Sequence, residues 1–359
     1  MPLLNHWTSR RPGAAWVLWV ALALSTAQAP AAAPTPKLRI VGSLAGLTQF
    51  TRHEEPFWTK DLSRLSAGRF DATIVPFDRA GVPAGDMLRL IQLGVLPFAT
   101  VLMSSLSGPY PEYGAPDLAG LNPDMASLKK SVAAFRPYLQ KALRERHGVE
   151  ALAIYVYPAQ VLFCKKPIKG LTDLGGRRIR VSSATQSDFI GALGGVPVLT
   201  GFSQIMSHMA SGNTECAITG AMSGNTLGLH EATTHLHTLP VTWGLAIFGA
   251  NLSAWNAVAP ELKALLSHEL PKLEAAIWTE SEKETSEGVA CNRGAPACRG
   301  GRLGHMVEVG VTAADEQRRQ EIFTSAVLAH WLQRCSARCT EAWNQTIGPV
   351  RGIVAPTAR

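Results

Sequence analysis

Several patterns that define common functional classes are missing from this sequence of 359 residues. Its 34 lysines and arginines never occur more than two in a row, so we expect no nucleic-acid partner. A glycine-rich phosphate loop, G-x-G-x-x-G, is also missing, because "GALGG" (191–195) lacks the spacing and follows a predicted helix. The sequence therefore gives no sign of a dinucleotide site, and we expect no cofactor.

Two motifs come close to hydrolytic signatures without matching them. In "HEATTH" (230–235) the histidines are five residues apart, whereas two zinc ligands on one helix face need a spacing of four. His237 lies nearby, so a weak metal site remains an alternative. In "GAMSGN" (220–225) the serine is one place away from the G-x-S-x-G position. These failures favour a binding protein, and an exported hydrolase or metalloenzyme on the same fold is the alternative.

The N-terminal segment, residues 1–33, has the pattern of a signal peptide. Arg10 and Arg11 precede an apolar run at 14–24, which is followed by small residues and prolines. The run is too short to cross a bilayer easily, and no stop-transfer pattern follows it, although an uncleaved anchor is the alternative. The twin arginine suits a Tat signal, but the following residues fit the Sec pathway better. We therefore expect an exported protein.

The six cysteines agree with export, because disulfides form in oxidising compartments. Cys291, Cys298, Cys335 and Cys339 cluster in the last quarter of the chain, and two local pairs are our prediction. A zinc site is the alternative, but C-x6-C with C-x3-C is not a usual ligand spacing. We expect the two remaining cysteines, Cys164 and Cys216, to be buried and unpaired.

A strand–helix rhythm runs twice along the chain. The first series contains strands near 38–43, 70–77 and 95–106, with helices at 57–68 and 84–94 and a long helix at 125–148. The second begins at "RIRVSS" and continues through the helix "ATQSDFIGALGG" and the strand "VPVLT". Such a rhythm indicates parallel sheets with helices on their faces.

The repeated rhythm predicts an α/β protein with two lobes and a cleft between them. Lobe I is predicted to comprise residues 37–158 and about 244–280, and lobe II residues 159–243 and about 281–359, including a cysteine-stapled tail. A long helix begins at Pro260, with a kink expected at Pro271. Ligands of such sheets bind at the carboxyl ends of the parallel strands, so the cleft is the expected site.

Residues 170–220, "GLTDLGGRRIRVSSATQSDFIGALGGVPVLTGFSQIMSHMASGNTECAITG", resemble the second lobe of the substrate-binding proteins of TRAP transporters, the DctP-type family. The matching segments are Asp173–Val181, Ala192–Val198, Phe202–Gly212 and the strand from Glu215 onward. "AWNAVAPELKALL" (254–266) also resembles the family's entry into its long helix. The resemblance extends over about residues 37–290.

This resemblance implies a type II-like periplasmic binding protein whose two lobes close on an organic anion, usually a carboxylate. The family delivers its ligand to the membrane subunits of a sodium-coupled TRAP transporter. We therefore expect a small organic anion as ligand, TRAP membrane subunits as partners, a periplasmic location and a monomeric protein. The alternative within this family is a member that has lost solute binding or become a sensor.

The family's key residue is the arginine of the "IRV" strand, which is Arg180 here. A planar guanidinium donates two parallel hydrogen bonds to a carboxylate, and a water-poor cleft strengthens them. The resemblance therefore implies that Arg180 binds the ligand carboxylate. Arg178 lies two residues earlier on the same strand, but the family does not require it, and Arg177 is predicted to be a solvated turn residue.

The other predicted ligand-binding residues also follow from the resemblance. Phe202 matches an aromatic that lines the family's cleft, although it could instead be a hydrophobic staple. The family's asparagine falls at Thr219, so Asn225 could supply the missing polar group. A second arginine of some members falls near Gln160, which argues against a ligand held by two arginines. From the first lobe, Gln49 and Ser104 are the candidates.

Overall fold

Eleven strands form two separate sheets within the part of the chain that the computed structural model describes, residues 37–355. The predicted signal peptide (1–33) lies outside these residues. In chain order the strands are β1 (Leu38–Gly42), β2 (Ala72–Pro76), β3 (Phe98–Leu102), β4 (Val149–Val156), β5 (Gln160–Cys164), β6 (Arg178–Val181), β7 (Val196–Leu199), β8 (Cys216–Gly220), β9 (His235–Thr242), β10 (Leu245–Asn251) and β11 (Val307–Val309).

Helices cover the faces of both sheets. They are α1 (Leu62–Leu65), α2 (Met87–Gln92), α3 (Met103–Leu106), α4 (Met125–His147), α5 (Ala184–Ala192), α6 (Ile205–Ala210), α7 (Ala221–Leu227), α8 (Leu229–Ala232), α9 (Leu252–Asn256), α10 (Pro260–Arg293), α11 (Ala313–Ile322), α12 (Leu328–Gln345) and α13 (Ile347–Arg351). Two π-helical stretches, Gln49–Glu54 and Phe57–Asp61, precede α1, and a third, Phe323–Val327, precedes α12.

The first sheet has the order β2-β1-β3-β10-β4, and the second has the order β11-β9-β5-β8-β6-β7. Strands β1, β2 and β3 are parallel, as are β6, β7 and β8. Strand β10 is antiparallel to both of its neighbours, so the chain returns to the first sheet after completing most of the second. This arrangement is the two-lobed α/β fold that the strand–helix rhythm predicts.

Helix α4 illustrates how local sequence sets the helix boundaries. The Asp124 side chain accepts a hydrogen bond from the Ser127 backbone N–H at 2.7 Å, which satisfies one of the free donors of the first turn. At the other end Gly148 adopts φ 57°, the left-handed conformation that glycine adopts without steric cost. The predicted helix at 125–148 is therefore present with nearly the predicted boundaries.

Helix α10 is the long helix that was predicted, and it contacts both lobes. Its Trp278 indole and Ser281 hydroxyl donate to the carbonyls of Ile154 and Val156 on β4, at 2.8 and 2.7 Å. Farther along, the Asn292 side chain donates to the Ala221 carbonyl in α7 at 3.0 Å. The helix runs as one element from Pro260 to Arg293, with Pro271 inside it.

All six cysteines are paired. The two predicted local bridges, Cys291–Cys298 and Cys335–Cys339, are confirmed. The prediction that Cys164 and Cys216 are unpaired is wrong, because they form a third disulfide. They occupy opposite positions on the adjacent strands β5 and β8, which brings residues that are 52 positions apart in sequence into direct contact.

The C-terminal tail contacts elements on both sides of the cleft. The Trp331 indole in α12 donates to the Pro111 carbonyl at 2.8 Å, and Arg351 donates to the Leu121 carbonyl at 2.9 Å. On the other side, Arg334 forms an ion pair with Asp188 of α5. The tail was expected to pack on one lobe, but these contacts extend to both.

No helix among residues 37–355 combines the length and the apolar character needed to cross a bilayer.

Candidate functional site

A cavity of about 740 Å³ lies between the two sheets. Its walls come from residues at or just after the carboxyl ends of the parallel strands: Phe77 after β2, Ser104 after β3, Ser182 after β6 and Thr200 after β7. Gly244 and Tyr157 line it from the two segments that cross between the sheets. The cavity is therefore where the topology predicts a ligand site.

Arg180 on β6 lines this cavity and is only 3% exposed. Its Nε and Nη2 donate to the Thr200 carbonyl at 3.1 and 2.8 Å, and its Nη1 donates to the Ile218 carbonyl at 2.7 Å. A guanidinium has five N–H donors, so two of them have no acceptor among residues 37–355. Neutral carbonyls hold the side chain in place without neutralising its charge.

Burial lowers the pKa of Arg180 to about 10, and desolvation is the cause. At neutral pH the side chain is still a cation, although none of the described carboxylates forms an ion pair with it. A buried charge is costly unless it is paired. A cation held in this way can pair with an anion that enters from solution.

The neighbouring arginines have ordinary structural contacts. Arg177 donates from its guanidinium to three carbonyls of the preceding turn, those of Lys166, Pro167 and Asp173. Arg178 is exposed and lies 3.5 Å from the Glu215 carboxylate. Neither residue lines the cavity. Of the three arginines in this segment, Arg180 alone faces the cleft.

Four further sequence-predicted residues line the cavity with Arg180. They are Gln160 at the start of β5, Thr219 on β8, Phe202 after β7 and Ser104 in α3. Thr219 is 3% exposed and makes no side-chain hydrogen bond within the described chain, so its hydroxyl is free for a ligand. Gln160, Phe202 and Ser104 are half-buried. These residues come from both lobes.

Two predicted residues do not line this cavity. Gln49 is buried in the first lobe, where its Nε2 donates to the Ser43 hydroxyl, and it faces a separate small void beside Glu284. Asn225 has no exposed surface. Its amide donates to the Arg302 carbonyl at 2.8 Å and accepts from the Arg302 N–H at 2.8 Å, so it fixes the loop that follows Cys298.

Sequence reasoning missed several wall residues. Thr200 carries a buried hydroxyl without a hydrogen-bond partner among residues 37–355, next to the carbonyl that holds Arg180. Asp78 is exposed and is, with Arg180, one of two charged side chains in the wall, and its Oδ1 accepts from the Ala45 N–H at 3.0 Å. Thr200 directly follows β7 and Asp78 lies two residues after β2, so reading the first two residues after each parallel strand would have found them.

Two carboxyl groups, the fully buried Glu54 and the half-buried Asp117, accept hydrogen bonds from segments next to the cavity. Glu54 accepts from the Ser43 N–H at 2.8 Å and from the Thr100 hydroxyl at 2.9 Å, and burial raises its pKa to about 7. Asp117 accepts from the N–H groups of Trp243 and Gly244, in the segment that crosses back to the first sheet. Burial also raises the pKa of Asp117 to about 7.

The histidines considered as metal ligands have different neighbours. His230 lies near Asn225 and Glu231, His235 contacts Thr234, and His237 lies 3.5 Å from Asp315. Across residues 37–355, no group of three or more histidine, cysteine, aspartate or glutamate side chains is arranged to hold a metal ion.

The fold is similar to those of several solved solute receptors. A Bordetella pertussis extracytoplasmic solute receptor binding pyroglutamic acid has a TM-score of 0.75 and 18% identity, over 86% of this chain and 99% of that one. A TRAP periplasmic solute binding protein from Desulfovibrio salexigens, with bound orotic acid, has a TM-score of 0.74 and 18% identity, over 85% of this chain and 96% of that one. Another TRAP periplasmic solute binding protein, from Desulfovibrio desulfuricans and with bound sn-glycerol-3-phosphate, has a TM-score of 0.76 and 12% identity, over 90% of this chain and 99% of that one.

A family comparison covers most of the chain. Residues 48–291 match the DctP family, described as bacterial extracellular solute-binding protein, family 7. This segment includes the first two sheet crossings, Arg180 and nearly all of helix α10. The proteins of this family and the similar solved structures are binding proteins rather than enzymes. With its two lobes, its cleft and its buried arginine, this chain belongs to the DctP family of extracellular solute-binding proteins.

Proposed function

We propose that this protein is a periplasmic receptor that captures a small organic anion, a carboxylate, and delivers it to the membrane subunits of a TRAP-type transporter. The observation that carries the proposal is Arg180, a nearly fully buried cation that lines the cavity and has no ion-pair partner among the described residues. A carboxylate can accept the two remaining N–H donors of its guanidinium.

Other groups in the wall suit the rest of such a ligand. Thr200 and Thr219 offer hydroxyl groups beside Arg180, while Phe202 and Leu199 offer apolar surface. Asp78 at the opposite wall disfavours a second anionic group near it. We therefore infer a ligand with one carboxylate, bound by Arg180, Thr219, Gln160, Phe202 and Ser104.

The proposed motion is closure of the two lobes about the crossing segments. In this proposal lobe I comprises 37–158 and about 244–280, and lobe II comprises 159–243 and about 281–359. Gln160, Arg180 and Thr219 belong to lobe II, whereas Phe77, Asp78 and Ser104 belong to lobe I. A ligand touching both walls stabilises the closed form because it binds that form better than the open one. We expect the receptor to act as a monomer.

Thermal unfolding with a panel of anions tests this proposal. The panel contains pyroglutamate, orotate, galacturonate and, as a phosphate-bearing anion, sn-glycerol-3-phosphate. A ligand at 100 times its Kd stabilises the folded state by about 2.7 kcal/mol, which is a readily measured shift in Tm. We expect at least one carboxylate to give such a shift, and Arg180→Ala to abolish it.

Arg178→Ala is the matched control, because this arginine lies on the same strand outside the cavity. It should retain the full ligand-induced shift. Arg180→Lys keeps the charge but loses the planar pair of donors, so we expect it to weaken binding at least about tenfold. A Tm shift that survives Arg180→Ala contradicts the assignment of the site. A Tm shift given by sn-glycerol-3-phosphate alone contradicts the proposal that the ligand is a carboxylate.

A further inference from the structure

Two side-chain amides near Arg180, those of the buried Gln186 and the half-buried Gln160, form a chain of hydrogen bonds with a fixed direction. It begins at the backbone N–H of Ser182, which donates to Gln186 Oε1 at 2.8 Å. A backbone N–H can only donate, so the atom of Gln186 that faces it must be the oxygen. The Nε2 of Gln186 therefore points in the other direction. Gln186 has no exposed surface, so water does not compete for these contacts.

The second amide of the chain is oriented by the first. Gln186 Nε2 lies 2.8 Å from Gln160 Oε1 and 2.7 Å from the Thr242 hydroxyl. These two acceptors use both of its N–H groups. Because Gln160 Oε1 accepts from Gln186, the Nε2 of Gln160 is the end that remains free. Among residues 37–355 this nitrogen has no acceptor, and Gln160 lines the cavity.

The backbone beside Gln160 leaves room for this orientation. Gly244 has φ 77°, and a Cβ placed on it would lie 2.5 Å from Gln160 Nε2. Any side chain at this position would therefore displace the amide. The glycine of the crossing segment and the buried Gln186 together hold the Gln160 NH2 group toward the ligand space.

We propose that Gln186 is a positioning residue that fixes Gln160 as a hydrogen-bond donor, so that the cavity selects carboxylates carrying a second, neutral oxygen acceptor. This rests on the proposed function, in which Arg180 binds the carboxylate. A carbonyl or ether oxygen can accept from the Gln160 NH2 group, whereas an apolar carbon at the same place leaves that donor unpaired. The amide is neutral, so it does not compensate the charge of a second carboxylate as an arginine would.

A matched pair of ring acids tests the inference. 3-Oxocyclopentanecarboxylate and cyclopentanecarboxylate have the same ring and carboxylate and differ in one carbonyl oxygen. We expect the wild-type protein to bind the oxo acid about 2- to 10-fold more tightly in calorimetric titrations, the range that one neutral hydrogen bond provides. Gln186→Leu removes the group that orients Gln160, so the ratio of the two Kd values should fall toward one.

A second variant reverses the orientation instead of releasing it. In Gln186→Glu the ionised carboxylate still accepts from Ser182 but cannot donate to Gln160, so the Gln160 amide turns and presents its oxygen to the cavity. At pH 8 the preference for the oxo acid should disappear or invert. In Gln186→Leu the Kd of cyclopentanecarboxylate should stay within about twofold of the wild-type value, since Arg180 is unchanged and no charge is introduced. In Gln186→Glu the added negative charge weakens the binding of both ring acids alike, so only the ratio of their Kd values is compared.

Asn122→Leu is the control for losing a buried amide. Asn122 is 2% exposed, bonds to the Pro116 carbonyl and the Ser131 hydroxyl, and lies outside the cavity wall. This variant should unfold at a lower temperature and keep the wild-type Kd ratio. The ratio thus separates positioning from a general loss of stability.

Three results would overturn the inference. They are a wild-type ratio near one, a ratio unchanged in Gln186→Leu, and an equal loss of affinity for both ring acids in that variant. Each leaves the proposed function intact, because carboxylates still bind. A wild-type protein that binds neither ring acid also contradicts the inference, and it contradicts the proposed function only if every other carboxylate fails to bind.

Discussion

At the scale of single residues, buried carboxyl groups make the stability of this protein depend on pH. Glu54 has no exposed surface, and burial raises its pKa from 4.5 to about 7. The folded protein therefore holds this proton over a pH range in which the unfolded chain has lost it. Stability from Glu54 is highest below pH 4.5 and decreases as the pH rises to about 7.

We predict that Glu54→Gln removes this contribution. The difference in unfolding free energy between variant and wild type should shift in favour of the variant as the pH rises from 5 to 8, by up to about 3 kcal/mol. Urea titrations at both pH values measure it. The comparison cancels the opposite effect of the histidines, such as His237, whose pKa values burial lowers. Parallel pH curves for the two proteins would contradict the prediction.

Single residues also show where sequence reasoning succeeds and fails at the site. Arg180 was predicted because its strand carries a recognisable run of neighbouring motifs. Asn225 was a reasonable candidate by type and position, but its amide is held by Arg302, 77 positions away. The prediction for Cys164 fails for the same reason, because only the pairing of β5 with β8 brings this cysteine to Cys216. Local sequence predicts elements and motif residues, whereas partners distant in sequence depend on tertiary packing.

At the scale of elements, helix α10 depends on one close approach to α7. A Cβ on Gly288 would lie 2.3 Å from the Met222 backbone nitrogen, so no side chain fits between the two helices there. The middle of α10, at Trp278 and Ser281, bonds to β4 of the first sheet. The Gly288 contact thus fixes the distance at which the helix crosses to the second lobe.

We predict that Gly288→Ala destabilises the protein by at least about 2 kcal/mol, because the added methyl group must push two backbones apart. Gly191→Ala is the control. Gly191 also lies within a helix, α5, but a Cβ there has nothing within 4 Å. That variant should gain about 0.4–1 kcal/mol through reduced freedom of the unfolded chain. Chemical denaturation measures both, and equal effects would contradict the packing argument.

The elements themselves were largely predictable. The alternation of apolar runs and glycine stops gave the strand–helix rhythm of both sheets, and α4 ends at Gly148 as expected. The helical stretch that begins at Gln49 was missed, although the predicted part near 57–68 is helical. This stretch owes its position to contacts such as those of Gln49 with Ser43 and Glu54 with Thr100, which no local pattern reveals.

At the scale of the whole molecule, the three disulfides close loops of very different length. Cys164–Cys216 joins positions 52 apart, whereas Cys335–Cys339 joins positions four apart within α12. Both pairs are buried. In the chain-entropy account, a bridge stabilises mainly by restricting the unfolded chain, and longer loops restrict it more.

We predict that replacing Cys164 and Cys216 together by alanine costs about 4 kcal/mol, and that replacing Cys335 and Cys339 together costs about 2 kcal/mol. Guanidinium titrations of the two double variants give the comparison. The Cys335–Cys339 bridge is predictable from sequence because its cysteines are close along the chain. The Cys164–Cys216 bridge is not, because it depends on the order of strands in a sheet. Equal costs would show that loop length is not the controlling quantity.

The position of β10 has a consequence for the order in which the molecule can be completed during synthesis. It lies between β3 and β4, yet it begins at Leu245, after β5 to β9. A growing chain therefore carries a gap in its first sheet until almost all of the second sheet has been made. Five of the six strands of the second sheet, β5 to β9, come from one continuous stretch of chain. The first sheet, by contrast, is complete only when β10, which is translated after those five strands, has joined it.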